Sequence, residues 1–167
     1  MNSSPAPVAS ALPAPRAGSP CRLAAGPAEL DAHFAVRRRV FVDAQGLFGG
    51  DDRDERDELA ETLHAVADVA GEIVGAVRLY PLDAGALWKG DRLAVLRQAR
   101  VHRVGSLLVE FAVRTAGELG GGRMVAQIQP RNVRFFEQLG WVTDGPPAPY
   151  CGITHQPMTI ALRAPDR

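Results

Sequence analysis

Apolar side chains recur near the helical period over residues 27–44, where Leu30, Phe34, Val36, Val40 and Phe41 form a stripe and Arg37, Arg38 and Arg39 form a basic cluster. Pro27 suits the first turn of that helix, because the N–H it lacks would have no partner there. A period of two then takes over. Leu63, Ala65, Ala67 and Val69 alternate with Thr62, His64, Val66 and Asp68, and a second extended run, 72–80, follows Ala70-Gly71. Two such runs around a short turn predict an antiparallel hairpin. Further on, the pattern predicts a strand over 91–95, a helix over 106–119, a strand over 124–129, a short helix after Asn132 and a last strand over 158–162. A first strand over 21–24 precedes the first helix, and Gly145-Pro146-Pro147-Ala148-Pro149 breaks regular structure before the last strand. The fold class is α/β.

Residues 1–20 carry five prolines and almost no bulky apolar side chain, too little to offset the entropy of ordering, so they predict a disordered tail followed by a single domain over 21–167. Lys+Arg and Asp+Glu each total 19, for a net charge of zero, which argues against nucleic acid and makes any anion binding local. Cys21 and Cys151 lie far apart, with neither a disulfide framework nor metal-ligand spacing, and read as free thiols of a reducing cytoplasm. The N-terminal residues lack the apolar core of a secretory signal, and no run of 18 apolar residues exists to span a membrane. An exposed sheet edge makes a homodimer an expectation.

The chemistry concentrates between residues 91 and 141. There a strand feeds a helix through the cationic turn Arg97-Gln98-Ala99-Arg100-Val101-His102-Arg103-Val104-Gly105. Such a junction aims free backbone N–H groups and the positive helix end at one spot, which suits a pyrophosphate.

This stretch resembles the GCN5-related N-acetyltransferases (GNAT). Their acyl-CoA loop, Gln/Arg-x-x-Gly-x-Gly/Ala, is matched by Arg100-Val101-His102-Arg103-Val104-Gly105, with Arg103 in place of the middle glycine. Their Asn, short helix and Gly-aromatic pair are matched by Asn132, Phe135, Phe136, Leu139, Gly140 and Trp141. The resemblance implies a central, mixed, mostly antiparallel twisted sheet of about six to seven strands, flanked by helices and splayed between its fourth and fifth strands. It implies acetyl-CoA or another acyl-CoA as cofactor, a small-molecule amine as acceptor, and no metal. Leu93, Ala94 and Val95 would pair with the pantetheine arm, Arg100, Val101, Arg103, Val104, Gly105 and Ser106 would hold the pyrophosphate, and Asn132 and Phe136 would border the arm. The oxyanion donor would be a main-chain N–H near Val95 or Leu96. Phe136 stands where many members carry the tyrosine thought to protonate the departing thiolate, and a phenyl ring donates no proton.

The N-terminal half resembles the acyl-homoserine-lactone synthases of the same fold, through Arg37, Phe41, Asp54, Asp57, Arg78 and Arg92. There Arg37, Phe41, Asp54, Arg78 and Arg92 would bind the amine donor, while Lys89 stands in the place of those enzymes' catalytic glutamate. Residues 33–162 also resemble a bacterial acetyltransferase subgroup of nitrogen-starvation gene clusters, through Gln45-Gly46-Leu47-Phe48, the run Trp88 to Leu93, and Gly152-x-x-His155-x-x-Met158. Candidate bases are His155, His64 and Asp57, with Asp91 beside them. The function expected is direct transfer of an acyl group, acetyl foremost, from a CoA thioester to a small-molecule amine. The alternatives are a synthase using S-adenosylmethionine and an acyl carrier, and a non-catalytic acyl-CoA-binding protein.

Overall fold

The computed structural model describes residues 11–164. The first ten residues of the expected tail lie outside the described residues; residues 11–20 contain no helix or strand, and Arg16 contacts Glu118 at 3.3 Å. The strands are β1 (Cys21–Leu23), β2 (Leu63–Val69), β3 (Glu72–Pro81), β4 (Leu87–Val95), β5 (Arg123–Ile128), β6 (Val142–Thr143), β7 (Ala148–Tyr150) and β8 (Ile153–Ala161). They form one eight-stranded sheet in the order β1-β2-β3-β4-β5-β8-β6, with β7 paired to β8. Every pairing is antiparallel except β4 with β5.

The hairpin of β2 and β3 turns through Ala70 and Gly71, both at positive φ (54° and 84°), the geometry of a primed two-residue turn. The expected first helix divides into α1 (Gly26–Arg37) and a π-helical continuation (Arg38–Ala44), past which the Gln45 N–H reaches back five residues to the Val40 carbonyl at 3.0 Å. Such wide turns are uncommon and cluster at functional sites. Here it delivers Phe41 and Gln45 to the central cleft. The last strand starts at Ile153, earlier than expected, because its first residues pair with β7. Pro149 is tolerated in β7 since an edge strand need not donate at every position.

Successive residues of β3 face opposite layers. Gly75 faces α2 (Val104–Glu118), where an added Cβ would stand 2.8 Å from both Leu108 Cδ1 and Val104 Cγ1. Arg78 faces the α1 side and meets Asp57, which binds Arg37. The sheet is therefore sandwiched between helices, and each buried leucine such as Leu79 or Leu108 contributes about 2 kcal/mol.

Two irregularities open the middle of the sheet. β4 and β5 pair only through Leu87↔Arg123, Trp88↔Met124 and Lys89↔Val125, and then separate. Between β3 and β4 the register jumps from Ala76↔Ala94 to Arg78↔Asp91, so Arg92 and Leu93 together oppose Val77, with Arg92 in the left-handed region at φ 53°. A bulge of this kind bends its strand and re-aims side chains. The short helix α3 (Val133–Gln138) brings Phe136 to the wall of this split.

Candidate active site

A groove of about 1000 Å³ runs along the open edge of β4, over the start of α2 and against α3. Its cationic wall is a 3-10 helix (Arg97–His102) where the sequence suggested a loop. With three residues per turn, Arg97 and Arg100 fall on one face. Both line the groove with Arg103, Arg39 and Arg131, and no Asp or Glu among the described residues joins the lining. Five guanidiniums around one groove of a chain with zero net charge make a local field suited to phosphates.

Arg103 adopts φ 57°, ψ 25°, the left-handed conformation for which glycine is the usual choice. That residue turns the chain into α2, whose first backbone bond runs from the Leu107 N–H to the Arg103 carbonyl at 3.2 Å. The N–H groups of Val104, Gly105 and Ser106 precede it and face outward from the helix start. The free amides therefore begin at Val104, one turn later than the expected run from Val101. Val101 lies within the 3-10 helix with its side chain 82% exposed and lines no part of the groove. Val104 contributes its backbone only, since its side chain is buried against Gly75. Leu93 and Val95 line the groove, whereas the Ala94 side chain is buried in the sheet. The Leu96 N–H is occupied by the Val74 carbonyl at 2.8 Å, which removes it as an oxyanion donor and leaves the Val95 N–H pointing the opposite way, toward the split.

Asn132 opens α3 without a side-chain capping bond, so its amide stays available. Together with Gln45, Leu93 and Phe136 it lines both the groove and a cleft of about 140 Å³ between β4 and β5. Phe136 is a buried packing residue, edge-on to Phe135 and Trp141. Trp141 also lines the cleft, and its Nε1 is buried without a hydrogen-bond partner among the described residues.

His155 stands on the cleft wall, its ring edge-on to Tyr150. Its Nδ1 lies 2.7 Å from the Ile153 carbonyl, and a carbonyl can only accept, so Nδ1 carries the proton and the lone pair of neutral His155 sits on Nε2. Nε2 has no hydrogen-bond partner among the described residues. Tyr150, whose hydroxyl is 3.4 Å from Lys89 Nζ, supplies a phenol to the same cleft.

The other expected acid–base and substrate residues divide. Arg92, Asp91 and Phe41 line the cleft. Arg37, Asp57, His64 and Arg78 do not; they form a network beneath it. Arg37 holds Asp52 at 2.7 Å and Asp57 at 2.8 Å, and Arg78 holds Asp57 at 3.0 Å, Asp54 at 2.6 Å and Asp91 at 2.7 Å. The His64 Nε2–H donates to Asp57 at 3.0 Å, and Arg92 reaches Asp54 at 3.4 Å. Burial raises the Asp57 carboxyl, but hydrogen bonds from His64 and Arg37 outweigh it and hold the group well below the usual carboxylate range. A carboxylate so saturated is a poor proton acceptor, and Asp57 and His64, both expected at the reacting centre, stand beneath the cleft rather than on its wall. Arg37 and Arg78, expected as substrate contacts, are fully enclosed and stand behind the cleft wall rather than on it. Asp54 is likewise held low, burial being outweighed by Arg78 and Arg92. Beside this network, burial pushes His33 down to about 3, and its neutral ring donates from Nδ1 to the Ala65 carbonyl at 2.9 Å.

Arg131, Arg39 and Tyr150 join the site with no motif in the sequence to mark them. The three-residue spacing of Arg97, Arg100 and Arg103 was the available signal for the groove.

The geometry can be set beside known proteins. A family model for the Acetyltransferase (GNAT) domain matches residues 52–162. A candidate acetyltransferase of Bacillus subtilis (strain 168) is 31% identical over 134 residues, covering 78% of this chain and 90% of that protein. Among solved structures, a candidate N-acetyltransferase from Lactobacillus plantarum superposes with TM-score 0.75 at 23% identity, over 85% of this chain and 97% of that one. An aminoglycoside 6'-N-acetyltransferase complexed with coenzyme A gives 0.68 at 18% identity, over 84% and 95%. A CoA-dependent acyl-homoserine lactone synthase solved with SAM and isopentyl-CoA gives 0.66 at 22%, over 80% and 76%. These three share the fold. With the family match over most of the chain, the arginine groove and the split sheet have one reading: the chain belongs to the GNAT acetyltransferase family and is an acyl-CoA-dependent N-acyltransferase.

Proposed function

We propose that the chain transfers an acyl group, acetyl included, directly from a CoA thioester to the amine of a small molecule, with His155 as the base. The observation that carries this reading is the junction of two spaces: an anion groove opens, through the shared residues Gln45, Leu93, Asn132 and Phe136, onto a cleft holding a histidine with a free Nε2 lone pair. Once bound, the coenzyme supplies an activated acyl carbonyl. Arg100, Arg103 and the N–H groups of Val104, Gly105 and Ser106 hold its phosphates, and the open edge at Leu93 and Val95 pairs with its amide arm. The Val95 N–H donates to the carbonyl oxygen as charge develops there. His155 Nε2 takes a proton from the attacking amine. Phe136 cannot protonate the departing sulfur, and Tyr150 is the cleft's available phenol.

Asp91 is held by Arg78 at 2.7 Å and stands on the cleft wall beside Arg92, so the two side chains balance in charge there. The grouping of Asp54, Asp57, Arg78 and Arg92 beneath the cleft favours a second reading, an S-adenosylmethionine-type amine donor as in the lactone synthases. Cys21 and Cys151 as free thiols support placing the protein in the cytoplasm. Membership of the nitrogen-starvation subgroup is supported by the runs Gln45 to Phe48, Trp88 to Leu93 and Gly152 to Met158, of which Gln45, Leu47, Phe48, Leu93 and His155 line the cleft.

The test is release of CoA thiol from acetyl-CoA with a panel of polyamines, amino acids and aminoglycosides, run beside thermal shifts with acetyl-CoA and S-adenosylmethionine. Thiol release with an amine supports the leading reading. A shift with S-adenosylmethionine and none with acetyl-CoA would replace it with the second.

A further inference from the structure

The cleft passes through the sheet. Phe41 and Phe48 line it from the α1 side, and Val109 and Ala112 line it from α2, which packs on the opposite face at Gly75. This is open because β4 and β5 part after Lys89↔Val125. Its two ends differ in chemistry. Gln45, Asp91, Arg92, Tyr150 and His155 give the outer end its polar groups, while Val77, Val109 and Ala112, with Met124 and Ala126 of β5, bring no polar side chain to the α2 side.

An attacking amine must meet His155, which keeps it at the outer end. The apolar end then faces the acyl group. An acetyl carries one methyl beyond its carbonyl and leaves the side chains of Val77, Val109, Ala112, Met124 and Ala126 at the inner end uncovered. The cleft's 140 Å³ is shared with the amine, and an apolar cavity of about 150 Å³ takes up benzene, a guest of about six carbons, so about six carbons is the upper bound for an acyl chain there. Resting on the function proposed above, we infer that acyl groups longer than acetyl, of about four to six carbons and apolar, are substrates, with the chain running between β4 and β5 toward Val109 and Ala112.

The experiment measures binding of free CoA, acetyl-CoA, butyryl-CoA and hexanoyl-CoA by calorimetry, without an acceptor. Affinity should rise along the series, with hexanoyl-CoA at least about tenfold tighter than acetyl-CoA, since each buried methylene strengthens binding severalfold. Ala112→Phe, which fills the inner end from the α2 side, should collapse the hexanoyl-to-acetyl ratio toward one, and Val109→Phe serves where Ala112→Phe does not fold. Equal affinity for acetyl-CoA and hexanoyl-CoA in the unaltered protein overturns the inference while free-CoA binding leaves the proposed function standing. A ratio unchanged in a folded filled variant overturns the inference too. Failure of free CoA to bind removes the proposed function itself.

Discussion

Replacing Arg103 with glycine pits backbone strain against charge. Arg103 sits at φ 57° at the entry to α2, and a residue with a Cβ in that region costs about 1–2 kcal/mol. Glycine relieves this but gives the unfolded chain extra freedom worth about 0.4–1 kcal/mol, so Arg103→Gly should gain roughly 0.5–1 kcal/mol, or about 1–4 °C in Tm. The same change removes one of the five guanidiniums of the groove. Because Arg103 is exposed, its pairing with a phosphate is screened and worth about 0.2–1 kcal/mol, a loss of up to about fivefold in coenzyme affinity. Urea unfolding of the free protein and calorimetry with CoA separate the two effects. Arg103→Ala is the control: it keeps the strain, so affinity should fall as far with no gain in stability. A glycine variant that is less stable, or that binds CoA more tightly, refutes the assignment of the turn.

His155→Gln should lower kcat about a hundredfold or more while leaving the Kd for CoA unchanged, and undiminished turnover would demote His155 to packing. His33 is neutral in the fold, with its pKa lowered to about 3 by burial, so the unfolded chain gains a proton first as pH falls below about 6.5. Stability should therefore drop by about 2 kcal/mol from pH 6.5 to pH 5, and His33→Asn, whose amide can still donate to the Ala65 carbonyl, should flatten that slope in urea titrations at each pH; an identical slope contradicts the assignment. Asp57→Asn should cost about 3–5 kcal/mol by leaving Arg37 and Arg78 short of a buried counter-charge, and a loss of activity with stability intact would return Asp57 to the reacting centre. Gly75→Ala should destabilise by about 1–3 kcal/mol through overlap with Leu108 and Val104, read as a lower urea midpoint at unchanged slope.

The elements with a strong period were legible from the chain. The alternation over β2 and β3 around Ala70-Gly71 and the amphipathic α2 are where the pattern places them, because tertiary packing reinforces what local preference already favours. β6 and β7 were not legible: two and three residues are too few to show a period, and Pro149 argues against a strand until β8 supplies an edge. The anion groove was visible in the cationic turn, but its boundaries depended on the 3-10 helix that aligns Arg97 with Arg100, and on Arg39 and Arg131, which arrive from remote elements. Asp57 and His64 show the converse. Their residue types suit catalysis, and only the partners supplied by Arg37 and Arg78, distant in sequence, turn Asp57 from a candidate base into a saturated ion-pair partner.

The most direct test of the whole account is a crystal structure with coenzyme A. The diphosphate should lie within hydrogen-bond distance of the Val104, Gly105 and Ser106 N–H groups, with Arg100 or Arg103 beside it and the sulfur at the split between β4 and β5. Coenzyme bound elsewhere, or a groove closed by the Arg103 side chain folded inward, would contradict it.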